Sequence, residues 1–143
     1  MPAELVIRPF PGAGDPARLL PAPSAQSAPF WDALAEGRLI AQACGRCARA
    51  RHPIAPVCPY CASGEFDWRT LTGAGFVHSW ALYRRSYLPE FEPLMPYAVL
   101  CVSLDAGPRM FGRLAGGTPA IGMRVQAIVE RFAGGGYAIA FDG

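Results

Sequence analysis

The chain has 143 residues, 52% of them hydrophobic and 17% charged. That length suits one ordinary domain or two very small ones, and the composition supports a packed core and excludes a disordered chain. The formal net charge of +2 is a weak basis for a polyanion partner, and all 13 basic residues are arginine.

The longest apolar run, Tyr97 to Val102, is far too short to span a membrane. The opening Met1-Pro2-Ala3-Glu4 has neither a basic region nor a long apolar stretch, so a cytoplasmic protein with reduced thiols is expected. Seven prolines fall in the first 29 residues, and large apolar residues between Pro9 and Ala28 are limited to Phe10, Leu19 and Leu20. Residues 1–28 therefore read as a Pro-rich, mostly extended arm whose apolar side chains suit docking on another surface.

Residues 29–65 read as a short helix followed by a metal ribbon. Ser27 is the expected cap, Pro29 sits in the first turn, and Gly37 is placed to end the helix. Phe30, Trp31 and Leu34 share one helical face. They either pack on the helix's own core or anchor a partner, since so short a helix holds little stability alone. A strand over Leu39–Ala43 leads into Cys44-Gly45-Arg46-Cys47, and ten residues later comes Cys58-Pro59-Tyr60-Cys61. Two residues between cysteines let both sulfurs of a pair converge on one ion from a tight turn. Two such knuckles give the tetrahedron of thiolates that zinc favours, with iron the alternative. Four thiolates close the coordination sphere, so the expected role is structural rather than catalytic. His52, between the knuckles, reads as a surface loop residue.

Residues 66–143 alternate with period two. Strands are predicted over Phe66–Leu71, Phe76–Tyr83, Tyr97–Leu104, Arg109–Leu114, Arg124–Phe132 and Tyr137–Phe141, separated by Gly- and Pro-rich turns. Within Phe76–Tyr83, strict alternation puts Phe76, His78, Trp80 and Leu82 on one face. Short strands at this spacing predict a small closed or nearly closed barrel, so the fold class is mainly β: an N-terminal helical arm, a four-cysteine zinc ribbon and a C-terminal barrel. Cys101, mid-strand in an apolar run, reads as a core residue and His78 as a packed or edge histidine. The segment Arg84–Pro96 is a long loop of the kind that is functional or mobile.

The order of these parts resembles a known family. The residues that carry the resemblance are Phe30-Trp31, Gly37-Arg38-Leu39, the two cysteine pairs, Gly73-Ala74-Gly75-Phe76-Val77-His78-Ser79-Trp80, Pro96-Tyr97-Ala98-Val99 and Ile121-Gly122-Met123-Arg124-Val125. Together they look like the rubredoxin-like zinc-ribbon plus OB-fold family first catalogued as domain of unknown function thirty-five, from about residue 29 to the end. The resemblance implies an accessory subunit, not catalytic alone, of a thiolase-fold acyl-CoA enzyme: a thiolase, acyltransferase or aldolase complex. It implies metal ligands at Cys44, Cys47, Cys58 and Cys61. CoA contacts at Arg84 and Arg85 and a partner interface at Phe30, Trp31 and Leu34 are further expectations. A single-stranded nucleic-acid binder is the alternative, since ribbons and OB barrels serve there too. Scattered arginines and a small net charge argue against it. An independent enzyme is weaker still, with no acid, base and nucleophile cluster in view.

Overall fold

The computed structural model describes residues 4–143. The expectation for the first three residues of the arm lies outside that range. The chain forms strand β1 (Ile7–Pro9), helix α1 (Ala28–Ala35) and strands β2 (Leu39–Cys44), β3 (Ala50–Arg51) and β4 (Phe66–Leu71). Then follow β5 (Ala74–Tyr83), β6 (Tyr97–Leu104), β7 (Arg109–Leu114), β8 (Arg124–Arg131) and β9 (Tyr137–Asp142). The fold is mainly β, and no helix is long and apolar enough to cross a membrane.

Two sheets divide the strands. The ribbon sheet has the order β3-β2-β4. β4 pairs with β2 along its whole length, from Leu39 opposite Leu71 to Cys44 opposite Phe66. By its hydrogen bonds this strand lies in the ribbon sheet, and the strands of the barrel sheet begin at Ala74. The barrel runs β8-β5-β6-β7-β9 and closes through β8–β9. Only β7–β9 is parallel within it. Closure removes the sheet edges that would otherwise be open to pairing.

One continuous core joins the two units. The barrel contributes Val77, Leu100, Val102, Met110, Leu114, Val125, Ala127, Val129 and Phe141. They cluster with Leu34 of α1 and Leu39, Ile40 and Leu71 of the ribbon. Gly112 is required by this packing, because a Cβ there would stand 2.9 Å from both the Phe141 ring and the Ile139 carbonyl oxygen.

A bulge corrects the face assignment on β5. The register shifts between Val77 and Ser79, so Val77, Trp80 and Leu82 lie opposite the buried residues Val102, Leu100 and Ala98. Phe76 lies opposite Ser103, on the other face. One extra residue inverts the alternation beyond it, which a period-two reading does not anticipate.

The arm is not spare chain awaiting another surface. β1 adds in parallel to β8, and buried Leu5 donates its N–H to the Gly37 carbonyl at 2.7 Å. Phe10 packs edge-on between Phe91 and Phe132, with centroids 5.4 and 5.2 Å away. Asp15 accepts from Ala17 N at 3.0 Å and caps a 3-10 turn at Pro16–Leu19. Only Leu19 of the expected docking residues stays largely exposed. The arm also pins the long loop: Ala13 N donates to the Glu90 carbonyl, within a second 3-10 turn at Pro89–Leu94. Ser27 stands at the N-cap of α1, but its side chain makes no capping hydrogen bond. Its hydroxyl accepts from Ser24 N at 2.8 Å, while its carbonyl takes the Phe30 and Trp31 N–H groups. Gly37 ends the helix as expected, at φ +76°.

Candidate functional site: a four-cysteine centre beside an aromatic cleft

Both knuckles follow one backbone plan. The strand pair brings Cys44 to the tip of β2, where Cys44 N donates to the Arg49 carbonyl and Ala48 N donates back to the Cys44 carbonyl. The second knuckle repeats this, with Cys58 N to Ser63 and Ala62 N to Cys58. Cys44 Sγ accepts from Arg46 N and Cys47 N at 3.4 Å each, and Cys58 Sγ from Tyr60 N at 3.4 Å. These N–H groups, that of Cys47 first and then that of Arg46, hold the Cys44 thiol down at about 6, which favours the thiolate a metal requires.

The four sulfurs lie within 4.8 Å of one another. Cys44–Cys61 is 3.5 Å and Cys47–Cys58 is 3.6 Å. A tetrahedron with zinc–sulfur bonds has edges of about 3.8 Å, whereas a disulfide needs about 2.05 Å, so the donor set fits a metal and not a bridge. All four predicted ligands come together. Cys101 stands apart, buried in β6.

One feature of the knuckles escapes the spacing argument. Ala48 and Ala62 each follow the second cysteine at φ +65° and +64°. A Cβ in this left-handed region costs about 1 kcal/mol, and glycine removes that cost. Ala48→Gly and Ala62→Gly are each expected to raise the stability of the metal-loaded chain by roughly that amount. Thermal melts of the two variants beside the parent measure it, and a lower melting temperature in both sinks the assignment of strain.

Beside the ribbon, α1, the segment His52–Ile54 and the barrel enclose an open cleft of about 370 Å³. Phe30, Trp31, Met110, Phe111 and Ile139 are among the residues of its wall. Of the three residues expected at a partner surface, Leu34 is fully buried and Phe30 is 9% exposed, so both serve the core. Trp31 remains half-buried at the cleft rim. Phe111 is 72% exposed and was not singled out in the sequence, because its strand neighbours Met110 and Gly112 face the core. Arg84 and Arg85 are exposed at the end of β5, with Arg85 Cζ 5.7 Å from the Tyr87 ring centroid.

His52 is not a free surface residue. Its ring packs 5.4 Å from that of Phe30, and burial lowers its pKa below the ordinary 6.5. A histidine whose folded pKa is depressed supports the fold above 6.5, and that support is lost as pH falls toward the folded value. Moving from about pH 7.5 to 5 should therefore destabilise the parent more than His52→Gln. Denaturation at the two pH values tests this; equal losses in both proteins exclude a buried neutral imidazole.

The fold and the centre define a rubredoxin-like zinc ribbon continuous with an OB-fold barrel. Residues 31–67 match the family described as ChsH2, rubredoxin-like zinc ribbon domain, and residues 68–130 match ChsH2, C-terminal OB-fold domain. A DUF35 domain-containing scaffold protein of Methanocaldococcus jannaschii is 30% identical over 97 residues, 65% of this chain and 68% of that protein. The chain belongs to this zinc-ribbon and OB-fold family, DUF35. It is 41% identical over 93 residues to a probable enoyl-CoA hydratase alpha subunit of Thermomonospora curvata. It is 32% identical over 114 residues to the 3-oxo-4,17-pregnadiene-20-carboxyl-CoA hydratase alpha subunit of Mycobacterium tuberculosis. The matches cover 63% and 78% of this chain but 28% and 36% of those subunits, so the chain spans about a third of their length. Among solved structures, a chain of the Ltp2-ChsH2(DUF35) aldolase superposes with a TM-score of 0.76 at 32% identity, over 86% of this chain and 98% of that one. A DUF35 protein of Sulfolobus solfataricus superposes at 0.60 with 14% identity, over 83% and 85%, a likeness of fold.

Proposed function

We propose that this chain is a non-catalytic accessory subunit of an acyl-CoA enzyme complex, with a thiolase-fold enzyme as partner and a zinc ion in a structural role. The observation that carries the reading is the likeness to the DUF35 chain of the Ltp2-ChsH2 aldolase over 98% of that chain. The hydratase alpha-subunit relatives point to the same acyl-CoA chemistry. The ribbon's four thiolates have no open position for an activated water, which suits a structural rather than a catalytic centre. In this reading half-buried Trp31 and exposed Phe111 anchor the partner, because aromatic rings beside a cleft are the residues that dominate interfaces. Arg84 and Arg85 meet CoA phosphates from the end of β5.

Co-expression with a thiolase-fold enzyme from the same genome tests the reading. The two should elute as one complex, and the enzyme alone should be poorly soluble or inactive. Trp31→Ala and Phe111→Ala should loosen the complex by about tenfold or more. Arg84→Ala with Arg85→Ala should raise KM for the CoA substrate several-fold, roughly the loss of one or two charge-assisted contacts, while assembly survives. A monomeric chain beside a fully active enzyme defeats the proposal. Sub-micromolar binding of single-stranded DNA at physiological salt would favour the nucleic-acid alternative, for which exposed Phe76, Trp80 and Phe111 would be the stacking residues.

A further inference from the structure

β3 has two residues, and the second is a buried arginine without a charge partner. Arg51 is 5% exposed. Its Nε donates to Gln42 Oε1 at 2.9 Å and its Nη2 to the Ala55 carbonyl at 3.2 Å. Its Nη1 is buried and unpartnered. Among the described residues, Arg8, Arg18, Arg38, Arg113 and Arg124 each pair with a carboxylate, and Arg51 does not. A buried guanidinium facing no negative charge is strongly destabilising, because the lost hydration is not replaced. No acid lines the cleft walled by Gln42, Ala55, Pro56, Phe66 and Trp68, two of which accept hydrogen bonds from Arg51.

The strand register relates Arg51 to the four-cysteine centre. Gln42 and Cys44 are two apart on β2 and so share a face. Arg51 is opposite Gln42, and Phe66 is opposite Cys44. Arg51 Cζ stands 5.4 Å from the ring centroid of Phe66, the residue paired with Cys44, so the guanidinium lies beside a neighbour of the centre. Four thiolates around a divalent cation carry a net charge of −2. We propose that Arg51 is the built-in counter-charge of the four-cysteine centre, and that through it metal occupancy sets the form of the aromatic cleft. This rests on the reading of the cysteines as metal ligands, and it is independent of any partner enzyme. The link to the cleft is short. Gln42 Oε1 accepts from both Arg51 and Ala55 N, at 2.9 Å each, which fixes the segment running back through Ile54 to His52. His52 and Ile54 form one wall of the Trp31 cleft.

Zinc release from the full-length chain into excess chelator, followed with a colorimetric reporter, tests the proposal. Arg51→Met should release the metal about tenfold faster or more, the size of effect that outer-sphere partners of metal sites exert. Arg109→Met, an exposed arginine on β7 of the barrel, should stay within about threefold. Gln42→Glu supplies Arg51 with a carboxylate and keeps the core charge-balanced. It should also speed release, because the new acid takes Arg51 away from the centre and adds repulsion. With metal bound, the Trp31 indole and His52 ring NMR signals should shift in Arg51→Met. Parent-like release in Arg51→Met, or in Gln42→Glu where Arg51→Met does not fold, overturns the proposal. So does acetate or phosphate that raises the melting temperature of the parent but not of Arg51→Met, since the counter-charge is then an anion in the cleft. Purified chain without metal overturns both this proposal and the reading of the cysteines, and leaves the accessory role to the co-expression test.

Discussion

Cys44→Ser and Cys61→Ser are each expected to give an insoluble or unfolded chain, and chelation of the parent is expected to do the same. The ribbon sheet contains one strand of two residues and two of six, too little to stand alone. Metal binding in small four-ligand sites contributes on the order of 10 kcal/mol or more to folding, which exceeds the whole stability of many domains of this size. Loss of the ribbon would not stay local. Leu39, Ile40 and Leu71 belong to the same core cluster as the barrel's Val77, Leu100 and Phe141. Metal content and melting of the purified variants check this, and parent-like melting in either would make the site dispensable.

The second large effect lies on the far side of β9. Arg113 and Glu130 form an ion pair with side chains only 10% and 7% exposed. Arg113 lies beside Ala140 and Glu130 beside Ala138, so two small residues leave the long side chains room to meet. Burial nevertheless pushes the Glu130 carboxyl above its usual range, against the pull of Arg113. Desolvation thus consumes much of the attraction, and the pair adds little net stability. Breaking it is another matter. Arg113→Ala should cost about 3–5 kcal/mol, because it strands a buried acid, whereas Arg113→Met combined with Glu130→Leu should come close to neutral. Denaturant melts of the single and double variants decide this; equal losses in both would show that the charges, and not their pairing, hold the segment.

The barrel strands were legible because each is a short alternating run bounded by Gly, Pro or Asp turns, and the metal ligands because two knuckles at fixed spacing have few other uses. Three things were not legible, each for a physical reason. Phe66–Leu71 has the alternation of a barrel strand, and only its hydrogen bonds to β2 assign it to the ribbon. The bulge at His78 inverts the faces of Trp80 and Leu82 without altering local composition. The arm reads as unstructured because its stability comes from distant residues: Phe10 depends on Phe91 and Phe132, and β1 on β8. Pattern along the chain reports local preference, whereas these features depend on contacts between segments far apart.

The parallel docking of β1 on β8 also imposes an order of events on the growing chain. Every pairing in the ribbon sheet lies between residues 39 and 71. The ribbon can therefore capture its ion while the ribosome is still making the barrel. The first strand must wait. Ile7 has no partner until Val129 emerges, and Arg8 meets Asp142 across 134 residues of sequence. β1 is thus made long before its partner and can seat only once β8 has emerged, more than a hundred residues later.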